Sequence, residues 1–299
     1  MKKLSIYLLI ILLIVLPTGC KEDKPSNPAV NQDSSSDNEK AINGAPSPAE
    51  PLTTPEPAGD EDVSHPATTV SEPGKESYSW YFRPNSNHEI PLVSPDVQAM
   101  LADYDAFYVL PNNENKIYLT FDQGYENGYT GKILDILKAN NVRVAFFITG
   151  HYLKTQPELI KRMKNEGHLV CNHTANHPDL STVSRDKFEQ EITSLEDEYR
   201  QLTNLEMDKY LRPPMGNYSP ASLSYAKEMG YRVVFWSMAF KDWDITAQPG
   251  AEYSYQHVVN NIHPGAVILL HAVSQSNTEA LDRIIKDLSA AGYTFATFD

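Results

Sequence analysis

The sequence is poor in cysteine and in basic residues, and both shortages limit what the protein can be. Only two cysteines, Cys20 and Cys171, occur among 299 residues, so no disulfide framework can stabilise the fold and stability must come from a hydrophobic core. Lys and Arg number 25 against 39 Asp and Glu, which gives a formal net charge of −14. An acidic chain of this kind does not fit nucleic-acid binding.

The chain also lacks an apolar run long enough to span a bilayer comfortably. Residues 4–16 are apolar, follow two lysines and lead into Pro17, Thr18, Gly19 and Cys20, a pattern that predicts a signal peptide over residues 1–20. A cysteine at the cleavage point resembles the lipidated residue of a lipoprotein. We therefore expect a lipid on Cys20 to hold the protein at the extracellular face of the cell membrane. Plain secretion and an uncleaved anchor are the alternatives.

Large apolar side chains are almost missing from the next stretch, residues 21–79. Residues 21–77 hold nine of the chain's 21 prolines, together with many Ser, Asn and Asp. Such a segment cannot bury enough apolar surface to offset the entropy of ordering it. We predict a disordered stalk here, followed by one domain over residues 80–299.

From residue 116 onward, apolar strand-like runs alternate with amphipathic stretches. This alternation favours a parallel sheet covered by helices, and we predict a distorted (β/α) barrel of seven to eight mostly parallel strands. The aromatic-rich residues 80–115 are expected to pack across the barrel as a leader segment. Strands are predicted at 116–122, 142–149, 168–172, 210–212, 232–239, 266–271 and 293–298, and helices at 131–140, 157–166, 185–202, 219–230, 255–262 and 278–290.

Two short segments, about fifty residues apart, carry the groups that metal-assisted hydrolysis needs. Asp122 ends one predicted strand, and His173 and His177 follow another. A carboxylate can take a proton from water, and two neutral imidazoles can hold a divalent metal ion. Neither segment is specific alone, because a strand-end Asp is often a helix cap and His at i and i+4 recurs by chance.

Three further segments place polar groups after apolar runs. Arg212 precedes two prolines, Asp242 and Trp243 follow the predicted strand 232–239, and His271 ends the strand 266–271. Each has an ordinary structural interpretation, as a surface arginine, a helix cap or a structural histidine. Because the carboxyl ends of parallel strands meet at one edge of a sheet, we expect all of these groups to lie close together.

Taken in order, these motifs resemble those of the polysaccharide deacetylases of carbohydrate esterase family 4. The motifs are TFDQG around Asp122, HTANHP from His173, RPPMG from Arg212, DW at Asp242 and LLH ending at His271. Longer runs around the first and fourth motifs resemble the delta-lactam-biosynthetic de-N-acetylases, a branch that acts on muramic acid of peptidoglycan. The resemblance covers about 220 residues and implies a metal-dependent de-N-acetylase with a distorted barrel fold.

The resemblance assigns catalytic roles to four residues. Asp122 would be the general base, and Arg212 would hold it by a charge-assisted bond and keep it ionised. His271 would be the general acid that protonates the leaving amine, with Asp242 keeping it cationic.

The resemblance also implies a metal ion and a substrate pocket. His173 and His177 would bind the ion, Zn²⁺ in the first place and Co²⁺, Mn²⁺ or Ni²⁺ otherwise. Gln123 stands where most members have a second Asp ligand and the branch has Asn, so whether it binds the metal stays open. Substrate contacts would come from an apolar slot for the acetyl methyl and a backbone N–H for the oxyanion, provided by Leu269, Trp243 and Met215.

Three functions follow as hypotheses. The first is removal of acetyl groups from N-acetylmuramic acid of peptidoglycan, in the growing wall or in spores. The second keeps the chemistry and changes the sugar to N-acetylglucosamine of peptidoglycan or another polysaccharide. The third is a non-catalytic, glycan-binding wall lipoprotein whose site has decayed at Gln123. The expected partners are peptidoglycan strands and the membrane, with the protein itself a monomer.

Overall fold

The computed structural model describes residue 74, residues 76–111 and residues 114–298. The predicted signal peptide, Cys20 and nearly all of the predicted stalk lie outside these residues. No helix in the described part of the chain combines the length and the hydrophobicity that a membrane crossing requires.

The described residues form nine strands, eight α-helices and one short 3₁₀ turn. The strands are β1 (Tyr78–Ser79), β2 (Lys116–Gln123), β3 (Ala145–Ile148), β4 (Leu169–Asn172), β5 (Asp208–Leu211), β6 (Asn217–Tyr218), β7 (Arg232–Val233), β8 (Val267–His271) and β9 (Thr294–Phe295). The helices are α1 (Pro95–Asp103), α2 (Thr130–Ala139), α3 (Gly150–Thr155), α4 (Pro157–Asn165), α5 (Arg185–Thr203), α6 (Pro220–Glu228), α7 (Ala251–Asn261) and α8 (Gln275–Ala290), and the 3₁₀ turn is Pro214–Gly216.

Seven of these strands form one parallel sheet that curls into a distorted barrel, as predicted. The strand order is β7-β5-β4-β3-β2-β8, and β9 pairs with the start of β2. Beyond β7 the chain crosses to the opposite edge, where the Ser237 N–H donates to the Val267 carbonyl at 3.0 Å. The Leu269 N–H donates to the Met238 carbonyl at 2.9 Å, so backbone hydrogen bonds join the two edges of the sheet.

Strand β2 pairs with β3, β8 and β9, and its two faces have different neighbours. Ile117, Leu119 and Phe121 point into the same core cluster as Leu134 of α2, which covers the outside of the sheet. Thr120 and its neighbours on the other face point into the barrel. Side chains alternate between the two faces of the strand, and both faces of β2 are buried. A strand buried on both faces has apolar residues at nearly every position, which explains the apolar run in the sequence.

The leader segment packs on the barrel as expected. Trp80 is buried and stacks on Phe235 with 4.6 Å between ring centroids. Tyr78 and Ser79, which the sequence analysis placed at the end of the stalk, form β1 and pair with β6. Ordered contacts therefore begin slightly before residue 80.

Some elements of the structure differ from the predicted ones. The predicted strand 232–239 pairs regularly only over β7, because the chain leaves β5 there and crosses to β8. The short helix α3 was not predicted. It is capped by Thr149, whose hydroxyl accepts from the Tyr152 N–H at 3.2 Å, a local bond that leaves little trace in the hydrophobic pattern.

The capping of α5 yields a testable prediction. The Ser184 hydroxyl accepts from the Lys187 N–H at 3.3 Å. We expect Ser184→Ala to lower the free energy of unfolding by about 1 kcal/mol, because an N-terminal amide loses its partner. Urea denaturation measures this change. The matched control is Ser194→Ala on an exposed turn of the same helix, which should stay within about 0.5 kcal/mol of wild type. Equal effects of the two substitutions would contradict the assigned cap.

Candidate active site

A cleft of about 1340 Å³ opens where the carboxyl ends of the barrel strands meet. Asp122 of β2, His173 after β4 and His271 at the end of β8 all line it, as the sequence analysis expected. His177, Met215, Trp243 and Leu269 line it as well. Arg212 and Asp242 are fully buried behind it, each bonded to one of the lining groups.

Arg212 and Asp122 form a buried ion pair. The Arg212 Nη1 donates to Asp122 Oδ1 at 2.7 Å and to the Thr120 hydroxyl at 2.9 Å, and its guanidinium lies 4.1 Å from the centre of the Phe147 ring. Burial alone would raise the pKa of Asp122, but the charge and the hydrogen bond of Arg212, together with the charge of His271, hold that pKa below its ordinary value. Asp122 is therefore an anion at neutral pH and can accept a proton.

The two histidines of the second motif lie side by side in the cleft. His173 Nδ1 is 2.7 Å from the Arg212 carbonyl, which can only accept, so Nδ1 carries the proton and Nε2 keeps its lone pair. That Nε2 is 3.6 Å from Asp122 Oδ2, and the ring centroids of His173 and His177 are 4.9 Å apart. Burial lowers the pKa of His173 to about 4 and that of His177 below its ordinary value. Both rings are thus neutral, the state in which imidazole binds metals.

Gln123 is buried next to Asp122 in sequence, and neither polar atom of its amide has a hydrogen-bond partner. Two neutral imidazoles can bind a divalent ion, and both histidines line the cleft, whereas Gln123 is not among the residues that line it. Within residues 76–111 and 114–298, no cluster of three or more His, Cys, Asp or Glu side chains has the arrangement of a metal site. The roles of His173, His177 and Gln123 as metal ligands remain predictions.

On the other side of the cleft, His271 is paired with Asp242. His271 Nδ1 donates to Asp242 Oδ1 at 2.7 Å, and the His271 backbone N–H donates to Oδ2 at 2.8 Å. Burial by itself would lower the pKa of His271, but the Asp242 carboxylate, helped by Asp122, raises it above the ordinary value. His271 therefore keeps its proton to higher pH than a free histidine and can act as an acid.

The predicted substrate contacts occupy different depths. Leu269 is buried, whereas Trp243 and Met215 are 54% and 59% exposed at the mouth of the cleft. Met215 has a left-handed backbone with φ of 58°. Gly216 beside it packs so closely that an added Cβ would lie 2.9 Å from the Trp236 ring, so no other residue fits without displacement.

Thr120 and Asn277 support the two charged pairs, although neither was predicted from the sequence. Thr120 lies between Arg212 and the backbone of β8, because its hydroxyl donates to the Ile268 carbonyl at 2.7 Å. Asn277, buried in the first turn of α8, donates from Nδ2 to Asp242 Oδ2 at 2.5 Å. Both act through contacts between distant segments, and no local pattern in the sequence marks them.

Known proteins resemble this chain in sequence and in fold. A family model described as polysaccharide deacetylase matches residues 110–234. The chain is 47% identical over 224 residues to the peptidoglycan-N-acetylmuramic acid deacetylase PdaA of Bacillus subtilis strain 168, which covers 75% of this chain and 85% of PdaA. The solved structure of PdaA, described as a family 4 carbohydrate esterase, superposes with a TM-score of 0.73 over 75% of this chain and 95% of that chain. A peptidoglycan-N-acetylglucosamine deacetylase of Bacillus cereus is 36% identical over 191 residues, or 62% of this chain and 68% of that protein.

The Asp242–His271 pair predicts a measurable titration. In the metal-free protein, the pKa of His271 should lie above its ordinary value, and Asp242→Asn should lower it because the ring loses its anionic partner. NMR titration of the His271 ring measures both values. The control is Asp244→Asn, which removes a nearby carboxylate that bonds Thr246 and Lys241. A His271 pKa unchanged by Asp242→Asn would refute the pairing.

Proposed function

Because the chain belongs to the polysaccharide deacetylase family, we propose that it hydrolyses the N-acetyl groups of N-acetylmuramic acid in peptidoglycan. One observation carries the chemistry. Asp122 and His271 line the same cleft, where Arg212 lowers the pKa of the first and Asp242 raises the pKa of the second. A base and an acid in opposite protonation states are what amide hydrolysis requires. The similarity to PdaA supports muramic acid as the sugar.

The reaction begins with water and ends with a free amine. A water molecule attacks the acetyl carbonyl, and Asp122 accepts its proton. Oδ1 of Asp122 is bonded to Arg212, and Oδ2 lies 3.6 Å from His173 Nε2. A divalent ion on His173 and His177 would polarise that carbonyl and lower the pKa of the water. As the C–N bond breaks, His271 gives its proton to the amine nitrogen.

The remaining contacts orient the acetyl group. Leu269 provides a buried apolar surface for the methyl, with Trp243 nearer the mouth. The backbone N–H of Met215, a residue in a left-handed turn at the mouth of the cleft, donates to the oxyanion that forms on the carbonyl oxygen. These roles derive from family resemblance and from the position of all three residues along the cleft.

Product analysis of digested peptidoglycan by mass spectrometry tests the proposal. The chelated protein is reloaded with Zn²⁺, Co²⁺, Mn²⁺ or Ni²⁺ and incubated with glycan strands. Muramic acid in the products supports the proposal. Glucosamine instead would point to the specificity of the Bacillus cereus relative. Unchanged peptidoglycan with every metal would favour a glycan-binding protein without activity.

We also propose that the protein works at the outer face of the membrane, anchored by a lipid on Cys20. The support is the apolar run at residues 4–16 that ends near this cysteine. We expect Cys20→Ala to move the protein from the membrane fraction to the soluble fraction. Metabolic labelling with a radioactive fatty acid is the measurement. A variant that still takes up label would exclude Cys20 as the modified residue.

Asp122→Asn tests the general base. The amide keeps the shape of the side chain but cannot accept the proton, so the deacetylation rate should fall on the order of 10²–10⁴-fold. Metal content, measured by atomic emission on the same preparation, should stay near that of wild type. Full activity in this variant would refute the assignment.

Gln123→Asp tests the third ligand. If the amide of Gln123 contacts the ion, a carboxylate at this position adds a charged oxygen donor, and the affinity for Zn²⁺ should rise. Activity should increase where metal is scarce and change little at saturation, because a new carboxylate near Asp122 also tends to raise the pKa of the base. Calorimetric titration of both proteins with Zn²⁺ decides. Equal affinities would mean that residue 123 does not touch the ion.

A further inference from the structure

The loop that carries the two histidines holds an unfavourable backbone. Thr174 and His177 both have left-handed conformations, with φ of 69° and 57°, although neither is glycine. A non-glycine residue in this region costs free energy, and a β-branched one such as Thr174 costs more. Contacts from the rest of the protein must therefore hold this loop in shape.

Some of these contacts come from within the loop and from strand ends. The Asn172 Oδ1 accepts from the Thr174 N–H at 2.8 Å, and the Thr174 hydroxyl accepts from the His177 N–H at 2.9 Å. The Gly150 N–H points at the carbonyls of Thr174 and Ala175, at 3.2 and 3.1 Å. An added Cβ at Gly150 would lie 2.6 Å from the Ala175 oxygen, so the close approach requires glycine.

The strongest contacts come from one helical residue, Glu191 of α5. Its carboxylate accepts the Asn176 N–H at Oε2 (2.8 Å) and the Asn176 side-chain amide at Oε1 (3.0 Å). Its main-chain carbonyl accepts the Ala175 N–H at 3.0 Å. Glu191 is 0% exposed and lies on the buried face of α5, where an apolar residue would be expected.

A buried carboxylate is tolerated only when its oxygens are bonded, and here they are. Besides the two bonds from Asn176, Lys187 lies 2.7 Å from Oε1. The catalytic steps proposed above make no use of this group. Its bonds converge on the residue immediately before His177.

We propose that Glu191 is a positioning residue for the metal-binding loop. By fixing Asn176, it holds His177 at the distance and orientation to His173 at which one ion can be shared. The inference rests on the proposed roles of the two histidines as metal ligands. Removing a residue that orients a metal ligand through hydrogen bonds typically weakens metal binding about 10–100-fold.

Three variants separate this role from simpler ones. Glu191→Gln keeps the size of the side chain but offers one acceptor oxygen where two are used. Asn176→Ala removes one of the same hydrogen bonds from the loop side and leaves the net charge unchanged. Glu189→Gln is the matched control, since it makes the same chemical change two residues away at an exposed site that pairs with Arg185.

The measurement is calorimetric titration of each metal-free protein with Zn²⁺, well below its melting temperature, with Co²⁺ absorption spectra as a report of ligand geometry. We expect Glu191→Gln to bind Zn²⁺ about 10–100-fold more weakly than wild type, with an altered Co²⁺ spectrum. Asn176→Ala should weaken binding in the same direction, and Glu189→Gln should not change it.

Several results would overturn the inference. Zn²⁺ affinity of Glu191→Gln equal to wild type, with only a lower melting temperature, would make Glu191 a purely structural residue. Weaker binding in Glu191→Gln and in Glu189→Gln alike, without any change in Asn176→Ala, would indicate a loss of negative charge instead. If Glu191→Gln does not fold, Asn176→Ala with unchanged affinity still refutes the inference. Wild-type protein that binds no metal would refute the metal assignment itself, before any variant is compared.

Discussion

The buried ion pair between Arg212 and Asp122 is the interaction on which the rest of the site depends. It joins the end of β5 to β2 across the barrel interior, and Arg212 is 0% exposed. Removing one partner of a buried pair leaves an uncompensated charge and costs about 3–5 kcal/mol. The same arginine also fixes His173 through its main-chain carbonyl. Arg212 therefore sets both the charge of the proposed base, Asp122, and the tautomer of a proposed metal ligand, His173.

The second pair joins Asp242 to His271, and it raises the pKa of His271, whereas the first pair lowers the pKa of Asp122. The arginine favours loss of a proton from Asp122, whereas the carboxylate of Asp242 favours retention of a proton on His271. Separate partners allow a base and an acid to coexist in one cleft at the same pH. Since both pairs attach to β2 and β8, which are neighbouring strands, the sheet itself keeps them facing each other.

Two further side chains support the site from behind: the neutral Asn277 and Glu191, whose charge is balanced by Lys187. Asn277 bonds the second oxygen of Asp242, and Glu191 bonds the loop before His177. A site built at the ends of strands depends on such contacts, because the loops there have few hydrogen bonds of their own. Helices α5 and α8 thus contribute to the site as well as to the covering of the sheet.

The sequence alone determined the parallel α/β architecture, because the alternation of apolar runs and amphipathic stretches is a local property of the chain. It also singled out Asp122, His173 and His271 as residues that should lie close together, because each follows an apolar run and the strand ends of a parallel sheet meet. Their roles as base, metal ligand and acid came from the family resemblance. The sequence could not fix where pairing ends along residues 232–239, since that depends on how the chain crosses from β5 to β8.

Nor could the sequence determine the supporting contacts or the pKa directions. Thr120, Glu191 and Asn277 bond to segments 15 or more residues away, and such distances in sequence leave no periodic signal. Burial and charge at Asp122 and His271 act in opposite senses, and only the tertiary arrangement of Arg212 and Asp242 decides which prevails. The residue types carry the chemistry, and the packing of distant segments sets the protonation states in which they can perform it.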